Sequence, residues 1–371
     1  KDRRMKSRLF CTLFMLSIAI SIFAQSPYIS RVFEFMPAPG QFVNDMPYYD
    51  MGDTRQVMAR KAEECLADDA RVVVSLGSYG GYVVFGFDHA VENRPGQMDF
   101  EILGNAFYSN ANVSNNKQGG SCEAGIVMVS HDDNGNGLPD DEWYELAGSD
   151  YHNPGTIKHY SITYYRPAKD KQPTPDPSNP AISDTSYIAW RDNQGQQGYV
   201  QRNAYNSQSY WPEWVDADSL CFQGTLLPKN AVDESGLGTY YVLYAFDWGY
   251  ADNHPNTDAR SSFNIEWAVD GDGKSVNLPA IHFVKVYTAL NQTCGWLGET
   301  STEVMGANDL HLLNRQIDDT TPVQHPTMSQ GSFRGDETRY TMLNGVRVNS
   351  PTASGIYIEH SPNGLRKLIV R

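Results

Sequence analysis

Residues 131–146 read HDDNGNGLPDDEWYEL. Asp132, Asn134 and Asn136 occupy alternate positions, Gly137 follows, and Asp140 closes the run. Short side-chain oxygens at this spacing suit a hard cation such as Ca²⁺, which takes about six to eight oxygen ligands. The carbonyl of Leu138 adds one oxygen, Asp141 or Glu142 completes the shell, and Gly137 allows the sharp turn. The twelfth position of an EF-hand count falls on Trp143 instead of Glu, and no helices flank the loop. The expected metal ligands are therefore Asp132, Asn134, Asn136, Leu138, Asp140 and Glu142, holding Ca²⁺ as a structural clamp between strands. The competing reading is an Asn-Gly-rich turn without metal. A second acidic turn, Asp270-Gly271-Asp272-Gly273-Lys274, is accounted for by hairpin chemistry. Gly273-Lys274-Ser275 is not a phosphate loop, because Ala268 stands where that motif needs Gly.

Aromatic clusters supply the other chemistry. Tyr205, Tyr210, Trp211 and Trp214 surround Pro212; Trp248 and Tyr250 lie beside Asp252; Trp296 lies near Glu299 and Glu303. Flat aromatic faces flanked by carboxylates and amides suit sugars and other amphipathic ligands. The expected ligand-binding residues are Tyr210, Trp211, Trp248, Tyr250, Asp252, Trp296 and Glu299. Any single large aromatic is more often core filling than ligand contact. No HExxH, GxSxG or nucleotide-binding fingerprint occurs. A glycoside hydrolase needs only two carboxylates at a set distance, and Asp252, Glu266, Glu299 and Glu303 are the candidates. No catalytic residue is assigned.

The elements that must hold these residues read as strands. Val72–Leu76, Tyr82–Phe87, Asp99–Leu103, Gly125–Ser130, Trp143–Ala147, Tyr160–Tyr165, Leu220–Phe222, Tyr240–Phe246, Phe263–Val269 and Ile281–Thr288 are short, β-branched or aromatic, and bounded by turn residues. One helix is predicted from an Asp53 N-cap, with Met58, Ala62, Cys65 and Leu66 on one face. Few helices against many strands predict an all-β fold: a jelly-roll-like β-sandwich with one short N-terminal helix and a small C-terminal β tail. The Pro-rich run 167–180 reads as an exposed loop.

Residues 1–24 pair a basic start (Lys1, Arg3, Arg4, Lys6, Arg8) with the apolar run Leu9 to Phe23, as a cleaved signal peptide does. No other stretch reaches membrane-spanning length. The formal charge is −15, and about −19 without those residues, which disfavours nucleic acid. Cys65, Cys122, Cys221 and Cys294 follow; they allow two disulfides in three pairings, or four free thiols. The predicted organisation is a signal at 1–24, a ligand-binding sandwich at 25–313, a linker at 314–336 and a β segment at 337–371.

Three resemblances add to this. The calcium loop is similar to the Asp/Asn-Gly loops of thrombospondin-type repeats and extracellular β-proteins. Gly355-Ile356-Tyr357-Ile358, Asn363-Gly364 and the closing Lys367-Leu368-Ile369-Val370-Arg371 resemble the C-terminal sorting domains of Bacteroidetes type IX secretion substrates. Three further segments, Asp99 to Phe107, NGNGLPDDEWYELAGS, and Ile281 to Tyr287 continuing to NQTCGWLGETSTEV, resemble an uncharacterised group of Bacteroidetes secreted cell-surface proteins. That resemblance implies PKD-like or sorting modules and proximity to outer-membrane uptake systems, including those for cobalamin. The resulting expectation is an exported, calcium-stabilised surface protein that binds a glycan or a corrinoid-like nutrient without chemistry. A carboxylate-dependent glycan hydrolase and a structural adhesion module are the alternatives.

Overall fold

The computed structural model describes residues 25–109, 117–320 and four strands beyond residue 338. The chain divides into two compact units, 1–323 and 324–371. The segment 1–24, read as a signal peptide, lies outside the described residues. No helix among the described residues is long and apolar enough to cross a membrane.

The chain is 37% strand and 7% helix, in small sheets arranged as a four-bladed β-propeller. This corrects the predicted jelly-roll sandwich. A jelly roll gathers its strands into two large facing sheets. Here the first unit spreads them over sheets of six, four, four, three and two strands. Alternation and turn chemistry are the same in both architectures, so the pattern of residues did not separate them.

The six-stranded sheet is organised around Ala280–Thr288, which pairs antiparallel with Tyr82–Glu92 on one side and Gly125–Ser130 on the other. Val284 and Val286 are buried between Phe85, Val83, Val129 and Val127. Phe283, Lys285 and Tyr287 point to the opposite face, as period-two alternation requires. The outer strands are Arg31–Met36 at one edge, and Trp143–Leu146 followed by Ala268–Val269 at the other. A four-stranded sheet is built from Ile157–Tyr165, Ile182–Asp192, Gln197–Asn203 and Ser219–Leu226. Its Tyr160 meets Tyr79 edge-on at 4.9 Å, and Phe222 lies against Gly80, where an added Cβ would come within 2.3 Å of the Phe222 Cβ. Edge-to-face aromatic pairs of this kind contribute about 0.5–1.5 kcal/mol beyond area burial.

The helix forms at Arg55–Leu66 and buries Met58, Ala62 and Leu66. Its N-cap is Thr54, whose hydroxyl accepts from Val57 N at 3.3 Å, not the predicted Asp53. Asp53 is held instead by Lys61 Nζ at 2.6 Å. The predicted strand Phe263–Val269 is broken by a 3-10 turn at Ile265–Trp267, because Asn264 accepts from Glu266 N and Asp99 accepts from Ile265 N. Residues 314–320, expected to open a linker, run along the first unit: Met98 N donates to Ile317 O at 2.8 Å, and Asp319 accepts from the Trp267 indole at 2.9 Å. In the second unit Arg339–Met342, Arg347–Val348, Gly355–Ser361 and Gly364–Val370 form an antiparallel four-stranded sheet.

Candidate functional site: an acidic cavity and a polar cleft

Backbone pairing draws one group of acids together. Gly125 and Ala251 exchange two hydrogen bonds at 2.9 Å, and Glu123 N donates to Asp252 O at 2.9 Å. This lays the segment carrying Glu123 beside that carrying Asp252. Val74–Ser75 pairs with Glu303–Val304, placing Glu303 directly opposite Ser75. Ser75 Oγ donates to Glu303 Oε1 at 3.1 Å, as cross-strand neighbours on one face can. The segment 299–303 is extended, so Glu299, Ser301 and Glu303 share a face and all line one cavity of about 210 Å³.

Carboxylate oxygens of Glu123, Asp252 and Glu303 lie within 4.8 Å of one another. Asp252 and Glu303 are buried, while Glu123 is half-buried. Asp252 Oδ1 accepts from Asn105 N and Ala106 N, both at 2.8 Å, and its Oδ2 accepts from Glu303 N at 2.9 Å. Glu123 accepts from Ser121 Oγ at 3.0 Å and Ser301 N at 3.2 Å. Gly104 is required beside Asp252, since a Cβ there would come within 2.4 Å of its Oδ1. Glu299 takes Gln41 N at 2.7 Å on Oε1, whereas its Oε2 has no hydrogen-bond partner among the described residues.

Electrostatics follow from the crowding. Burial, then the charge of Glu123, raises Asp252 well above the carboxylate range. Burial, then Glu123 and Asp252, does the same to Glu303. Burial pushes Glu299 up to about 8. The ion pairs found among the described residues include none to these four acids.

A second, larger concavity of about 840 Å³ lies where the six-stranded and four-stranded sheets face each other. Lys285, Met128 and Glu145 stand in register across three strands and form one wall. Lys158, Ser161, Gln223 and Thr225 from the four-stranded sheet form the other, and Trp143, Tyr151 and Asn193 lie around them. Lys158 Nζ lies 3.5 Å from Glu145 Oε1 and 2.9 Å from the centre of the Tyr151 ring. Burial brings Lys158 down to about 8 against the pull of Glu145, and burial also raises Glu145. Thr225 Oγ1 donates to Glu145 Oε2 at 2.6 Å.

The residues expected from sequence divide between these places and others. Glu299 lines the acidic cavity, and Asp252 lies next to two of its acids, Glu123 and Glu303. Tyr210, Trp211 and Tyr250 are core side chains, 0%, 1% and 1% exposed, so they present no face to a ligand. Trp248 is half-buried and packs on Trp267 with ring centres 4.8 Å apart. Trp296 is half-buried; its indole donates to Thr239 O at 3.2 Å, and Tyr205 meets it edge-on. Among the hydrolase candidates, Glu266 lies away from Asp252, Glu299 and Glu303 and accepts from Gly96 N at 2.9 Å. Glu123 was missed; the neighbouring Gly125–Ser130 read only as a strand. The cleft was missed entirely, because its walls come from strands distant in sequence. The alternation Glu299-x-Ser301-x-Glu303 was the available signal for the cavity.

The loop expected to bind Ca²⁺ is exposed and closed on itself. Asp132 accepts from Asn136 N at 3.1 Å and Gly137 N at 2.9 Å, and Asn136 Oδ1 accepts from Leu138 N at 2.7 Å. The amide groups of Asn134 and Asn136 donate to Asp140 Oδ1 at 3.1 and 3.2 Å. Glu142 accepts from Tyr144 OH at 3.1 Å. The four cysteines among the described residues are free thiols, with Cys122 and Cys294 buried in one small apolar cluster.

No protein-family model matches this chain, and no curated protein matches it either.

Proposed function

We propose that this is an exported surface protein that binds a glycan, without converting it, in the cleft between the six-stranded and four-stranded sheets. The observation that carries this reading is the cleft itself. Its volume of about 840 Å³ falls within the range of roughly 300–1,000 Å³ typical of small-molecule sites. Trp143 adds a flat aromatic side chain, and Asn193, Gln223 and Ser161 add neutral hydrogen-bonding groups, the combination a sugar needs. Lys158 and Glu145 are already paired, so neither charge demands an ionic ligand.

Hydrolysis is disfavoured at both sites. In the cleft, Asp270 caps its own turn by accepting from Asp272 N and Lys274 N, and Asp272 pairs with Lys274. Glu145 is then left without a second free carboxylate. The acidic cavity, at about 210 Å³, is too small for a glycan chain or a corrinoid. Export is supported by the basic-then-apolar residues 1–24 and by the resemblance of 355–371 to sorting domains. A Ca²⁺ clamp at Asp132 to Glu142 remains part of the proposal as a stabiliser of that loop, in competition with the loop's own amide bonds.

Calorimetry against a panel of neutral glycans and cobalamin tests the reading. Binding should be seen with a glycan, and Trp143→Ala and Gln223→Ala should each weaken it by about tenfold, the effect of roughly 1.4 kcal/mol. Release of reducing ends from the bound glycan would move the protein to the hydrolases. Heat from cobalamin alone would assign a corrinoid instead, and no heat from any ligand would sink the binding reading.

A further inference from the structure

We infer that the cavity lined by Glu123, Glu299 and Glu303, with the Asp252 carboxylate next to Glu123 and Glu303, binds one hard divalent cation, Ca²⁺ foremost. The site is separate from the cleft and from the loop at 131–142, and stands independently of the glycan reading.

Two observations carry it. The oxygens of Glu123, Asp252 and Glu303 span no more than 4.8 Å. Ligand oxygens of one Ca²⁺ ion, each at about 2.3–2.6 Å, lie up to about 5 Å apart, so the spacing of the three groups suits a shared ion. Separately, Glu299 is only 8% exposed, lines the same cavity, and keeps one oxygen without a hydrogen-bond partner. A buried carboxylate oxygen with no donor is costly unless a cation or a proton meets it.

The donor set names the class of ion. Carboxylates, the hydroxyls of Ser121 and Ser301, and Asn105 are all at the cavity, and hard oxygen donors of this kind select Ca²⁺, Mg²⁺ or Mn²⁺ over softer metals. Cys294 is the one thiol on the wall and Met46 adds one thioether, so oxygen donors outnumber sulfur donors. Mg²⁺ holds its waters and demands tight octahedral geometry, whereas Ca²⁺ accepts an irregular shell of protein oxygens. A cation would also remove the mutual repulsion that buried acids without basic partners impose on one another.

Calorimetric titration of the full chain with CaCl₂, after dialysis against EGTA, tests the site. Wild-type protein should bind Ca²⁺, and Asp132→Asn with Asp140→Asn should leave this site intact. Glu303→Gln should abolish it, and Glu299→Gln should weaken it by about tenfold, since affinity follows the number of charged ligands. Glu303→Gln relieves repulsion, so in EGTA it should melt no lower than wild type. Should it fail to fold, Glu299→Gln decides, because the oxygen it replaces holds no protein group. Unchanged Ca²⁺ affinity in a folded Glu303→Gln or Glu299→Gln protein would overturn the site. So would a wild-type protein that takes up neither Ca²⁺, Mg²⁺ nor Mn²⁺.

Discussion

Asp252 accepts the backbone amide of Glu303 at 2.9 Å, so two acidic residues 51 positions apart are tied by the main chain of one and the carboxylate of the other. The same carboxylate takes the amides of Asn105 and Ala106. Asp252 also holds a left-handed backbone, φ 52°, which Asp tolerates better than most residues. It fixes three segments around the cavity.

Asp252→Ala should therefore be among the most damaging single changes in the first unit. It leaves three amides without an acceptor in a buried setting, at about 1–3 kcal/mol each, offset in part by the removal of one charge from a crowded group. A net loss of about 3 kcal/mol in urea denaturation is expected. Asp252→Asn keeps one carbonyl oxygen and should lose less. Equal stability of Asp252→Ala and wild type would mean that the three segments are held by packing alone.

His89 gives a pH-dependent contribution. Its ring is 4% exposed and lies 2.7 Å from both Asp88 Oδ1 and Asp309 Oδ2. Burial opposes its charge, yet the two carboxylates together hold its pKa above the ordinary value. The unfolded chain releases that proton near pH 6.5, so the stabilisation is complete below about 6.5 and is lost as pH rises through the higher folded value. Burial likewise opposes the charge on Asp309, but hydrogen bonds from His89 and two amides hold its pKa low. Its contribution is present above the unfolded carboxylate pKa and fades as pH falls through the depressed one. His89→Gln should cost about 1–3 kcal/mol near pH 6 and clearly less near pH 9. Denaturation curves with the same deficit at both values would show that His89 is neutral throughout.

Gly224→Ala tests the floor of the cleft. A Cβ at Gly224 would lie 2.5 Å from Tyr287 Oη, which accepts Thr225 N at 2.7 Å. Tyr287 is 2% exposed and has little room to retreat. Overpacking of this kind costs about 1–3 kcal/mol. Because Gly224, Thr225 and Tyr287 all line the cleft, glycan affinity should fall together with the melting temperature. A lower melting temperature with unchanged affinity would place the ligand elsewhere.

What could be read in the residues was local. Met58, Ala62 and Leu66 marked the buried helical face, although Lys61 drew Asp53 away from the cap and left it to Thr54. The apolar run Ile281 to Thr288 marked a strand. Its partner Tyr82–Glu92 lies some two hundred positions earlier, and nothing local specifies that pairing. Period-two alternation tells which face is buried but not whether sheets stack in pairs or stand around a centre, so a sandwich was expected where a propeller forms. Asp252, Glu299 and Glu303 stood out as acids beside aromatics, and the fold does bring them to one place. Glu123 joins them only through the backbone pairing of Gly125 with Ala251, which no spacing reveals. The aromatics Tyr210, Trp211 and Tyr250 show the converse: loop position suggested a platform, but their hydroxyl and indole groups found internal partners and they became core.

Glu145→Gln isolates the role of charge in the cleft. Glu145 is the ion-pair partner of Lys158, whose amine burial has brought down to about 8. Removing the carboxylate leaves a shielded ammonium facing only the Tyr151 ring and lowers the folded pKa of Lys158 further. A lysine whose folded pKa lies below its unfolded value of about 10.4 destabilises the fold while it is charged, and stability recovers as pH rises from the folded toward the unfolded value. At pH 7 the variant should be about 1–3 kcal/mol less stable than wild type. That deficit should shrink as pH approaches about 10, where Lys158 is neutral in both folded proteins. Adding Lys158→Met should restore part of the loss at pH 7, since it removes the orphaned charge while keeping an unbranched side chain of similar length. If the double variant is no more stable than Glu145→Gln alone, the loss arises from the Thr225 hydroxyl that Glu145 accepts, not from the ammonium.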